Sequence, residues 1–526
     1  MKQNILQSWN NKWPEVKSTK PLATGEGVID QTSFDTIEVG KVFDVVNQAS
    51  TITGQSVLYR SLAQPSCSLD EIKAKQQAVE EIKNNQAVRD NVENIVTSSA
   101  EKERSLYLLL FGEFLGSMGT AREAQQIEGY GYRQYRQGVR FMLNLSESIY
   151  SSGEPESPYL KAIFNKINTF TESRVHSLMA GPVYNTEKGF QTKKERKGSF
   201  VPATLFVPQI FKPLLIILVL AGIWMFSQFI SYSIPGLSFG SGAMAGALFA
   251  PALLIYFPVV GTYDRDSCII PLREEFKGSL ELGDALDALG QLDELLAFIK
   301  FSEKYGGNLI LPVMNESESH SVNLVNAKNP VLGMQNEKYV GNDFTLDKEK
   351  LVFVTGPNSG GKTAFCKTIT QIQVLAQIGC YVPAQEAVLS VADKIFYQAP
   401  EISHLDDGEG RFGTELKRTK AIFLATTAKS LVVLDELSEG TTFEEKMESS
   451  SYVLDGFYRK GNSTILITHN HQLVDLFVNK GEGVAMQVEF KDDLPSYKLV
   501  AGISRVSHAD RVAKKIGFSK EDIDSY

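Results

Sequence analysis

A glycine-rich segment that ends in a lysine and a threonine is the first feature of this sequence that carries chemistry. In TGPNSGGKT, Gly356 and Gly361 are separated by four residues and precede Lys362 and Thr363. This spacing is typical of loops whose backbone N–H groups surround phosphate oxygens at a helix N-terminus. Lys362 would neutralise the β- and γ-phosphate oxygens, and the Thr363 hydroxyl would ligate magnesium. The predicted nucleotide-binding residues are Gly356, Pro357, Asn358, Ser359, Gly360, Gly361, Lys362 and Thr363.

Two carboxylates end a second apolar run, SLVVLDE. Asp435 suits a ligand for magnesium, and Glu436 suits a general base for an attacking water. The alternative is an acidic pair that faces solvent at the end of a strand. His469 follows a third apolar run and is a candidate contact to, or sensor of, the γ-phosphate. The sequence therefore predicts hydrolysis of ATP with Mg²⁺. The candidate catalytic residues are Lys362, Glu436 and His469, and the candidate metal ligands are Thr363 and Asp435.

Strands and a helix are needed to hold these residues in place. The apolar LVFVT before the glycine-rich segment predicts a strand, and the residues after it predict a long helix. SLVVL and STILI are further apolar runs of strand length. The C-terminal part of the chain is therefore predicted to be an α/β domain of the phosphate-loop kind.

Length and composition limit the classes of protein to which this chain belongs. Its 526 residues allow roughly three or four domains, and 43% hydrophobic and 22% charged residues are near globular averages. The net charge of −9 means that nucleic acid would have to meet a local basic patch. The cysteines form no CxxC pair, and the N-terminus has no apolar signal region, so a disulfide framework, a zinc site and export are not expected. The cysteines are Cys67, Cys268, Cys366 and Cys380.

Residues 213–263 contain no Asp, Glu, Lys or Arg. They divide into two apolar stretches, about 213–232 and 243–262, each near the roughly 20 residues that cross a bilayer. The sequence therefore predicts a two-span membrane hairpin with membrane lipid as a partner; the alternative is a buried helical pair. By the positive-inside rule, basic residues before the first span place both flanks in the cytoplasm. These basic residues are Lys193, Lys194, Arg196, Lys197 and Lys212.

With these motifs in order, the sequence resembles the MutS family of mismatch-repair ATPases. TGPNSGGKT is similar to the family's phosphate loop, DELSEGTT to its acidic strand end, and KNPVL with YVGNDFTL to the entry of its ATPase domain. The segment KVFDVVNQASTITGQSVLYRSLAQPSCSLDEIKAKQQAVEEI resembles the start of the family's helical core, and residues 282–307 resemble its returning lever. The resemblance implies that Tyr339 stacks on adenine; the alternative is an ordinary core aromatic.

The sequence also departs from the family's pattern. The uncharged segment occupies the interval where the family has a DNA clamp, and little chain precedes Ile29 to form mismatch-reading domains. The family's signature loop, which contacts the partner's nucleotide, corresponds to residues 406–416. Its implied contacts are Gly410, Arg411 and Phe412, with Arg411 in place of a missing hydroxyl. The alternative for this segment is a flexible surface loop.

The resemblance implies a homodimer through the ATPase domains, and two functions stay open. The first is a membrane-anchored ATPase that binds mismatched or branched DNA and acts in DNA repair. Arg133, Arg136 and Arg140 share one helical face that would meet phosphates, although such a face is also commonly only solvated. The second is an ATP-driven membrane scaffold or remodelling protein that binds no DNA. A transporter motor is weaker, because two spans offer little pathway.

The predicted fold class is mixed: a helical core and lever domain with an inserted two-span transmembrane hairpin, followed by a C-terminal α/β phosphate-loop ATPase domain. The tail, residues 505–524, resembles the family's terminal segment that pairs subunits, or is a simple amphipathic helix. The predicted divisions are an N-terminal extension (1–30), helical core and outgoing lever (31–200), hairpin (201–264), returning lever (265–325) and ATPase domain (326–526).

Overall fold

The structure of the protein is a computed structural model. It describes residues 16–17, 19–116, 129–150, 154–197, 201–233, 255–306, 309–336, 338–357, 360–400, 410–437, 442–491, 494–504 and 516–525.

Short helices follow one another in the first part of the described chain. They are α1 (Gln31–Thr36), α2 (Val39–Val46), α3 (Ile52–Ala63), α4 (Leu69–Asn84), α5 (Gln86–Ala100) and α6 (Glu103–Phe111). Side-chain caps fix where several of them begin. The Thr51 hydroxyl accepts from the Gly54 amide at 2.8 Å, and the Ser68 hydroxyl accepts from the Glu71 amide at 3.3 Å. These bonds satisfy N–H groups that a helix leaves without a partner at its first turn.

The next segment combines helices with two small sheets. Strands β1 (Glu113–Phe114) and β2 (Gly129–Tyr130) pair in parallel. The helices are α7 (Tyr132–Tyr150), α8 (Pro158–Glu172) and α9 (Arg174–Ala180). Strands β3 (Val183–Thr186), β4 (Gly189–Gln191) and β5 (Thr204–Phe206) form an antiparallel sheet in the order β4, β3, β5.

Helix α10 (Pro213–Ser233) begins the segment that the sequence predicts to be a membrane hairpin. Residues 243–254 of the second predicted span lie outside the described residues. In the remainder of that span, Tyr256 and Val260 are each 6% exposed. The Tyr256 hydroxyl donates to the Ile210 carbonyl at 3.0 Å. One side of the end of the second predicted span is therefore packed against protein atoms, whereas Ile255 and Val259 on it are 66% and 59% exposed.

The prediction of a membrane hairpin is wrong. Over the described residues, no helix combines the length and the apolar character that a bilayer crossing requires. The fold class with an inserted two-span hairpin at 201–264, the membrane location with cytoplasmic flanks, and membrane lipid as a partner are corrected accordingly. The alternative of a buried helical pair does not describe α10 either, because Trp224 and Phe229 are 61% and 66% exposed.

The centre of the helical half is one long helix. A π-helical turn (Arg265–Ile269) leads into α11 (Ile270–Lys277), and α12 (Leu280–Lys304) follows. Every residue of α12 from Ala285 to Ile299 is buried, which is typical of a helix inside a core. Helices α3, α4 and α8 pack on it. Gly290 permits the closest approach, since a Cβ there would lie 2.6 Å from Cγ2 of Val57 on α3.

The C-terminal half is built from short strands and alternating helices. Its first elements are β6 (Leu309–Ile310), β7 (Val313–Asn315), β8 (Val322–Ala327), α13 (Leu332–Gln335), β9 (Asn342–Leu346), β10 (Leu351–Thr355), α14 (Lys362–Gln377), β11 (Val382–Pro383), β12 (Glu386–Ser390) and β13 (Ile395–Gln398). Its last elements are α15 (Gly410–Ala425), β14 (Leu431–Asp435), α16 (Phe443–Lys460), β15 (Ser463–Ile467), α17 (His471–Lys480), β16 (Val484–Lys491), β17 (Leu494–Ala501) and α18 (Lys520–Ser525).

The main sheet of this half has the strand order β13, β14, β15, β10, β16, β17. The first five strands run parallel to one another, and the sixth, β17, is antiparallel to β16. Residues of β10, β14 and β15 are buried at every position, as expected for parallel strands covered on both faces. A smaller sheet has the order β7, β12, β8, β9.

Two clusters of buried apolar residues hold the molecule together. The larger one includes residues of α3, α4 and α12 as well as residues of α14 and of the main sheet. In the smaller one, residues of α15, α16 and α17 pack against residues of the main sheet. Ile422, Phe457 and Phe477 are among its members from these helices. The helical half and the α/β half therefore share one core.

Candidate nucleotide site

The carboxyl ends of three neighbouring strands meet at one edge of the main sheet. Strands β14, β15 and β10 lie side by side and run parallel. Parallel strands end at the same edge, so the loop after β10, the acids that end β14 and the histidine that follows β15 are brought together. The Glu436 amide donates to the Ile467 carbonyl at 2.9 Å, which joins the ends of β14 and β15 directly.

The loop after β10, residues 356–361, depends on its glycines. Gly356 has a φ of 123° and Gly361 a φ of 85°, which are conformations that residues with a Cβ rarely adopt. Gly360 lies against β16, since a Cβ there would be 2.8 Å from Cγ2 of Val488. The Gly360 amide donates to the carbonyl of Pro357 at 3.0 Å. Two of the predicted nucleotide-binding residues, Asn358 and Ser359, lie outside the described residues.

Lys362 opens helix α14, and its ammonium turns back over the loop. Its Nζ donates to the Gly356 carbonyl at 2.5 Å, and the residue is buried. Burial lowers the pKa of Lys362, and the charges of Asp435 and Glu436 act in the opposite direction. A cation in this place suits an anionic ligand, because phosphate oxygens would compensate the charge that burial disfavours.

Thr363 and Asp435 bring a hydroxyl and a carboxylate together beside the loop. The Thr363 hydroxyl donates to Oδ2 of Asp435 at 3.1 Å. Asp435 is 8% exposed, and burial raises the pKa of its carboxyl. A cation would relieve that cost, so the pair fits Mg²⁺, which takes one or two protein oxygens together with phosphate and water. The described residues contain no cluster of three or more His, Cys, Asp or Glu side chains that could hold a metal ion without phosphate.

Glu436 and His469 lie at the ends of adjacent strands. Glu436 has a φ of 58°, a strained conformation for a residue with a side chain, and such strain is concentrated at functional sites. Nε2 of His469 lies 3.4 Å from Oε1 of Glu436. The carboxylate is thus held beside the buried Asp435, where it can accept a proton, and His469 can orient it.

Tyr339 lines a pocket of about 380 Å³ beside the loop. Gly360, Gly361 and Phe365 form the wall shared with the loop and α14, and Leu499 contributes from β17. Burial raises the pKa of the Tyr339 hydroxyl. The volume is that of a site for a small organic ligand, and the aromatic side chains among its mixed apolar and polar lining suit a flat ring.

The structure brings two further tyrosines to the site that the sequence pattern did not indicate. Tyr497 on β17 also lines the pocket, and its Cδ1 is 3.5 Å from where a Cβ of Gly361 would lie. It has a φ of 59°, and its carbonyl accepts from the Asn342 side chain at 3.0 Å. Tyr397 on β13 is fully buried, and its hydroxyl donates to Oδ2 of Asp435 at 3.4 Å. Both tyrosines come from strands without a motif, so no local signal marks them.

The residues of the predicted signature loop are only partly described. Residues 401–409 lie outside the described residues; α15 begins at Gly410, and of Arg411 only the backbone is described. Phe412 is partly exposed on the first turn of α15. Among the described side chains of this segment, Phe412 does not line the pocket beside the glycine loop. In the predicted terminal segment, residues 505–515 lie outside the described residues.

The arginines predicted to meet DNA lie on α7 in the helical half. Arg133, Arg136 and Arg140 are exposed. Arg136 and Arg140 border a groove of about 460 Å³ between α7 and the sheet that contains β5. This basic face is separate from the nucleotide site, since it shares none of that site's elements.

Comparison with known families and proteins agrees with the resemblance found in the sequence. The family model described as MutS domain III matches residues 28–298, and the model described as MutS domain V matches residues 352–525. The second match begins in β10 and contains the glycine loop, Asp435, Glu436 and His469.

Several curated proteins are similar to this chain. The DNA mismatch repair protein MutS of Prochlorococcus marinus (strain MIT 9301) is 31% identical over 248 residues, which are 45% of this chain and 27% of that protein. The DNA mismatch repair protein MutS of Brevibacillus brevis is 34% identical over 200 residues, 37% of this chain and 23% of that protein. Endonuclease MutS2 of Levilactobacillus brevis is 30% identical over 239 residues, 45% of this chain and 30% of that protein.

The chain thus spans between about a quarter and a third of the length of these relatives. The resemblance to the family is confirmed, because the domain III match alone covers more than half of the 526 residues. This chain belongs to the MutS family.

Proposed function

We propose that the protein binds ATP with Mg²⁺, hydrolyses it to ADP and phosphate, and uses this cycle in a DNA-repair role as a dimer. The observation that carries the nucleotide part is the convergence of Lys362, Thr363, Asp435 and Glu436 beside an aromatic pocket. Membership of the family supports the repair role, since relatives are named DNA mismatch repair proteins. It also supports the dimer, with Gly410, Arg411 and Phe412 of one copy near the nucleotide of the other.

The mechanism follows from the chemistry of the site residues. Lys362 would exchange the Gly356 carbonyl for phosphate oxygens, and loop N–H groups would bind the same anion. Thr363 and Asp435 would hold Mg²⁺, which would supply positive charge next to the phosphates. Glu436 would take a proton from a water molecule whose oxygen attacks the γ-phosphorus. The bond between the γ-phosphorus and the oxygen that bridges to the β-phosphate would break, and ADP would leave. Tyr339 would stack on the base.

The nucleotide proposal is tested with two substitutions of different expected effect. Lys362→Ala removes the buried counter-charge, so we expect the affinity for ATP to fall by at least about 100-fold. Glu436→Gln keeps the shape but cannot accept the proton, so binding should persist while hydrolysis slows by roughly 10² to 10⁴. Titration calorimetry with Mg²⁺ measures the first effect and phosphate release the second.

The matched controls for these two variants are Lys348→Ala and Glu349→Gln, on the exposed turn before β10. Both controls should bind and hydrolyse ATP like the wild type. Wild-type turnover in Lys362→Ala and Glu436→Gln, or no heat of nucleotide binding by the wild type, would remove the basis for the proposal.

We further propose that the exposed arginine face of α7 contacts DNA phosphates. Arg133, Arg136 and Arg140 project from one helix at spacings of three and four, and none of them makes an ion pair among the described residues. Removal of one arginine–phosphate pair should make the negative slope of log affinity against log salt less steep by about 0.9. Replacing all three arginines by alanine should therefore weaken DNA binding and flatten its salt dependence.

Mobility shift with mismatched, branched and homoduplex DNA across a range of salt tests this proposal. A control variant that replaces the exposed Lys73, Lys102 and Lys161 by alanine removes the same charge from other surfaces. Equal weakening in both variants would assign the effect to net charge alone. Absence of salt-sensitive binding by the wild type would reject DNA as a ligand and leave the nucleotide proposal untouched.

A further inference from the structure

A buried ion pair joins helix α15 to Asp30, the residue before α1, which is the first helix among the described residues. Arg418 on α15 donates from Nη1 to Oδ2 of Asp30 at 2.6 Å and from Nη2 to Oδ1 at 3.0 Å. The two side chains are 12% and 2% exposed. Burial alone would raise the pKa of Asp30, but hydrogen bonds from Arg418, Thr24 and Ser33 bring it to about 2. The pair is therefore charged at neutral pH, and its two parallel bonds fix the direction of both groups.

Ser33 forms hydrogen bonds both to this ion pair and to the edge strand of the main sheet. Its amide donates to Oδ1 of Asp30 at 2.9 Å, and its hydroxyl lies 3.3 Å from Nη2 of Arg418. The same hydroxyl accepts from the Tyr397 amide at 3.0 Å. Strand β13 is an edge strand, so this bond satisfies an N–H group that no neighbouring strand pairs. The segment before α1 adds a second bond to the edge, from the Ile395 amide to the Val28 carbonyl at 2.6 Å.

Tyr397 extends the connection to the candidate metal carboxylate. Its hydroxyl and the Thr363 hydroxyl both donate to Oδ2 of Asp435, at 3.4 and 3.1 Å. Strand β13 has one more link to α15, because Gln398 and Thr419 exchange hydrogen bonds at 2.9 and 3.1 Å. Helix α15 thus holds both of the last two residues of β13, one directly and one through Asp30 and Ser33.

We propose that Arg418 and Tyr397 are positioning residues that orient Asp435, so that the placement of α15 sets how much Mg²⁺ tightens nucleotide binding. This inference rests on the proposed function. Helix α15 begins at Gly410, within the segment 406–416 that family likeness assigns to contact with the partner's nucleotide. Contact of a second copy with that segment would displace or fix α15. Through the hydrogen bonds of Ser33 and Tyr397, the new position of α15 would alter the orientation of Asp435 in the same chain.

The test compares nucleotide binding with and without Mg²⁺. Tyr397→Phe removes one oxygen and keeps the buried ring, and Arg418→Met removes the guanidinium from Asp30. A non-hydrolysable ATP analogue is titrated into each full-length protein in Mg²⁺ and in EDTA. We expect both variants to bind the analogue normally in EDTA and about fivefold more weakly in Mg²⁺, the weakening expected for the loss of one hydrogen bond of ordinary strength. In the double variant the two effects should not add, because they lie on one path.

Matched controls separate positioning from general damage. Tyr458→Phe alters an exposed tyrosine on α16, and Arg89→Met breaks another bidentate pair, with Glu303, remote from the site. Both controls should keep the wild-type ratio of the two dissociation constants. If Arg418→Met fails to fold by circular dichroism, Tyr397→Phe decides the matter alone. A wild-type ratio in Tyr397→Phe, or equal weakening with and without Mg²⁺, overturns this inference only. No analogue binding by the wild type overturns the proposed function itself.

Discussion

At the scale of single residues, Glu103 shows how the fold changes the acidity of a side chain. It is 3% exposed at the start of α6, and its Oε1 accepts from the Ile52 amide at 2.6 Å, at the first residue of α3. The Tyr107 hydroxyl donates to its other oxygen at 3.3 Å. Burial raises the pKa of Glu103 to about 7, the hydrogen bonds oppose this, and Asp293 adds to it. Glu103 is therefore half protonated near neutral pH.

This shift predicts the pH dependence of stability. The folded-state pKa lies above the ordinary value of 4.5, so the folded state binds the proton more tightly. The contribution is fully present below about pH 4.5 and is lost as the pH rises through 7, by about 3 kcal/mol in the free energy of unfolding. Glu103→Gln carries no titrating group, so it should raise the melting temperature at pH 8 and have little effect at pH 5.

Thermal unfolding of the wild type, Glu103→Gln and the exposed control Glu101→Gln at both pH values measures this effect. The control should follow the wild type. If the melting temperatures of Glu103→Gln and the wild type differ by the same amount at pH 5 and pH 8, Glu103 is not the titrating group.

At the scale of elements, strand β16 packs against the glycine loop. Gly360 approaches Val488 so closely that a Cβ would lie 2.8 Å from its Cγ2 and 3.0 Å from its Cγ1. A Cβ on Gly356 would likewise lie 3.4 Å from both the Cβ and the Cγ2 of the same valine. The path of the loop is therefore set by a strand more than a hundred residues later in the chain, and not only by the freedom of its own glycines.

Gly360→Ala should lift the loop off β16 and weaken nucleotide binding about tenfold, since overpacking of this kind costs roughly 1–3 kcal/mol. The double variant with Val488→Ala removes the two closest contacts and leaves only the Cβ of residue 488, 3.1 Å from the new methyl group, so it should recover part of the affinity. Titration calorimetry with ATP and Mg²⁺ measures both.

The control for this pair is Gly283→Ala on α12, where a Cβ would meet nothing within 4 Å. It should bind nucleotide like the wild type. Failure of Val488→Ala to recover any affinity would show that Gly360 acts through something other than its contact with β16.

At the scale of the whole molecule, helix α14 joins the nucleotide site to the helical half. It begins at Lys362, and further along it the Gln371 side chain donates to the Ile37 carbonyl at 2.7 Å. At its end the Gln377 side chain donates to the Ser66 carbonyl at 2.8 Å. Because these polar bonds lie within the shared apolar core, α14 cannot move relative to the end of α1 and the connection between α3 and α4 without breaking them. Helix α14 therefore connects the candidate nucleotide site to the helical half through hydrogen bonds inside the core.

The sequence by itself determined which residues are candidates for the phosphate, metal and proton-transfer roles. A phosphate loop is made by consecutive residues, so the spacing of Gly356, Gly361 and Lys362 is enough to indicate it. Asp435 and His469 became candidates because each lies at or just after the end of an apolar run of strand length. Family membership could also be predicted, since it rests on contiguous motifs. By contrast, the absence of charge over residues 213–263 did not establish a membrane hairpin, because an uncharged run does not reveal which protein surfaces it packs against.

Only the tertiary structure decided which distant residues complete the site. Arg418 and Asp30 are 388 residues apart and Tyr397 and Asp435 are 38 apart, so no local spacing connects them. Tyr497 reaches the pocket because β17 pairs with β16 at the sheet edge beside the loop. Strand order and packing set these contacts, since hydrogen bonding between strands and burial of their faces act across the chain, whereas a motif records only what neighbouring residues require.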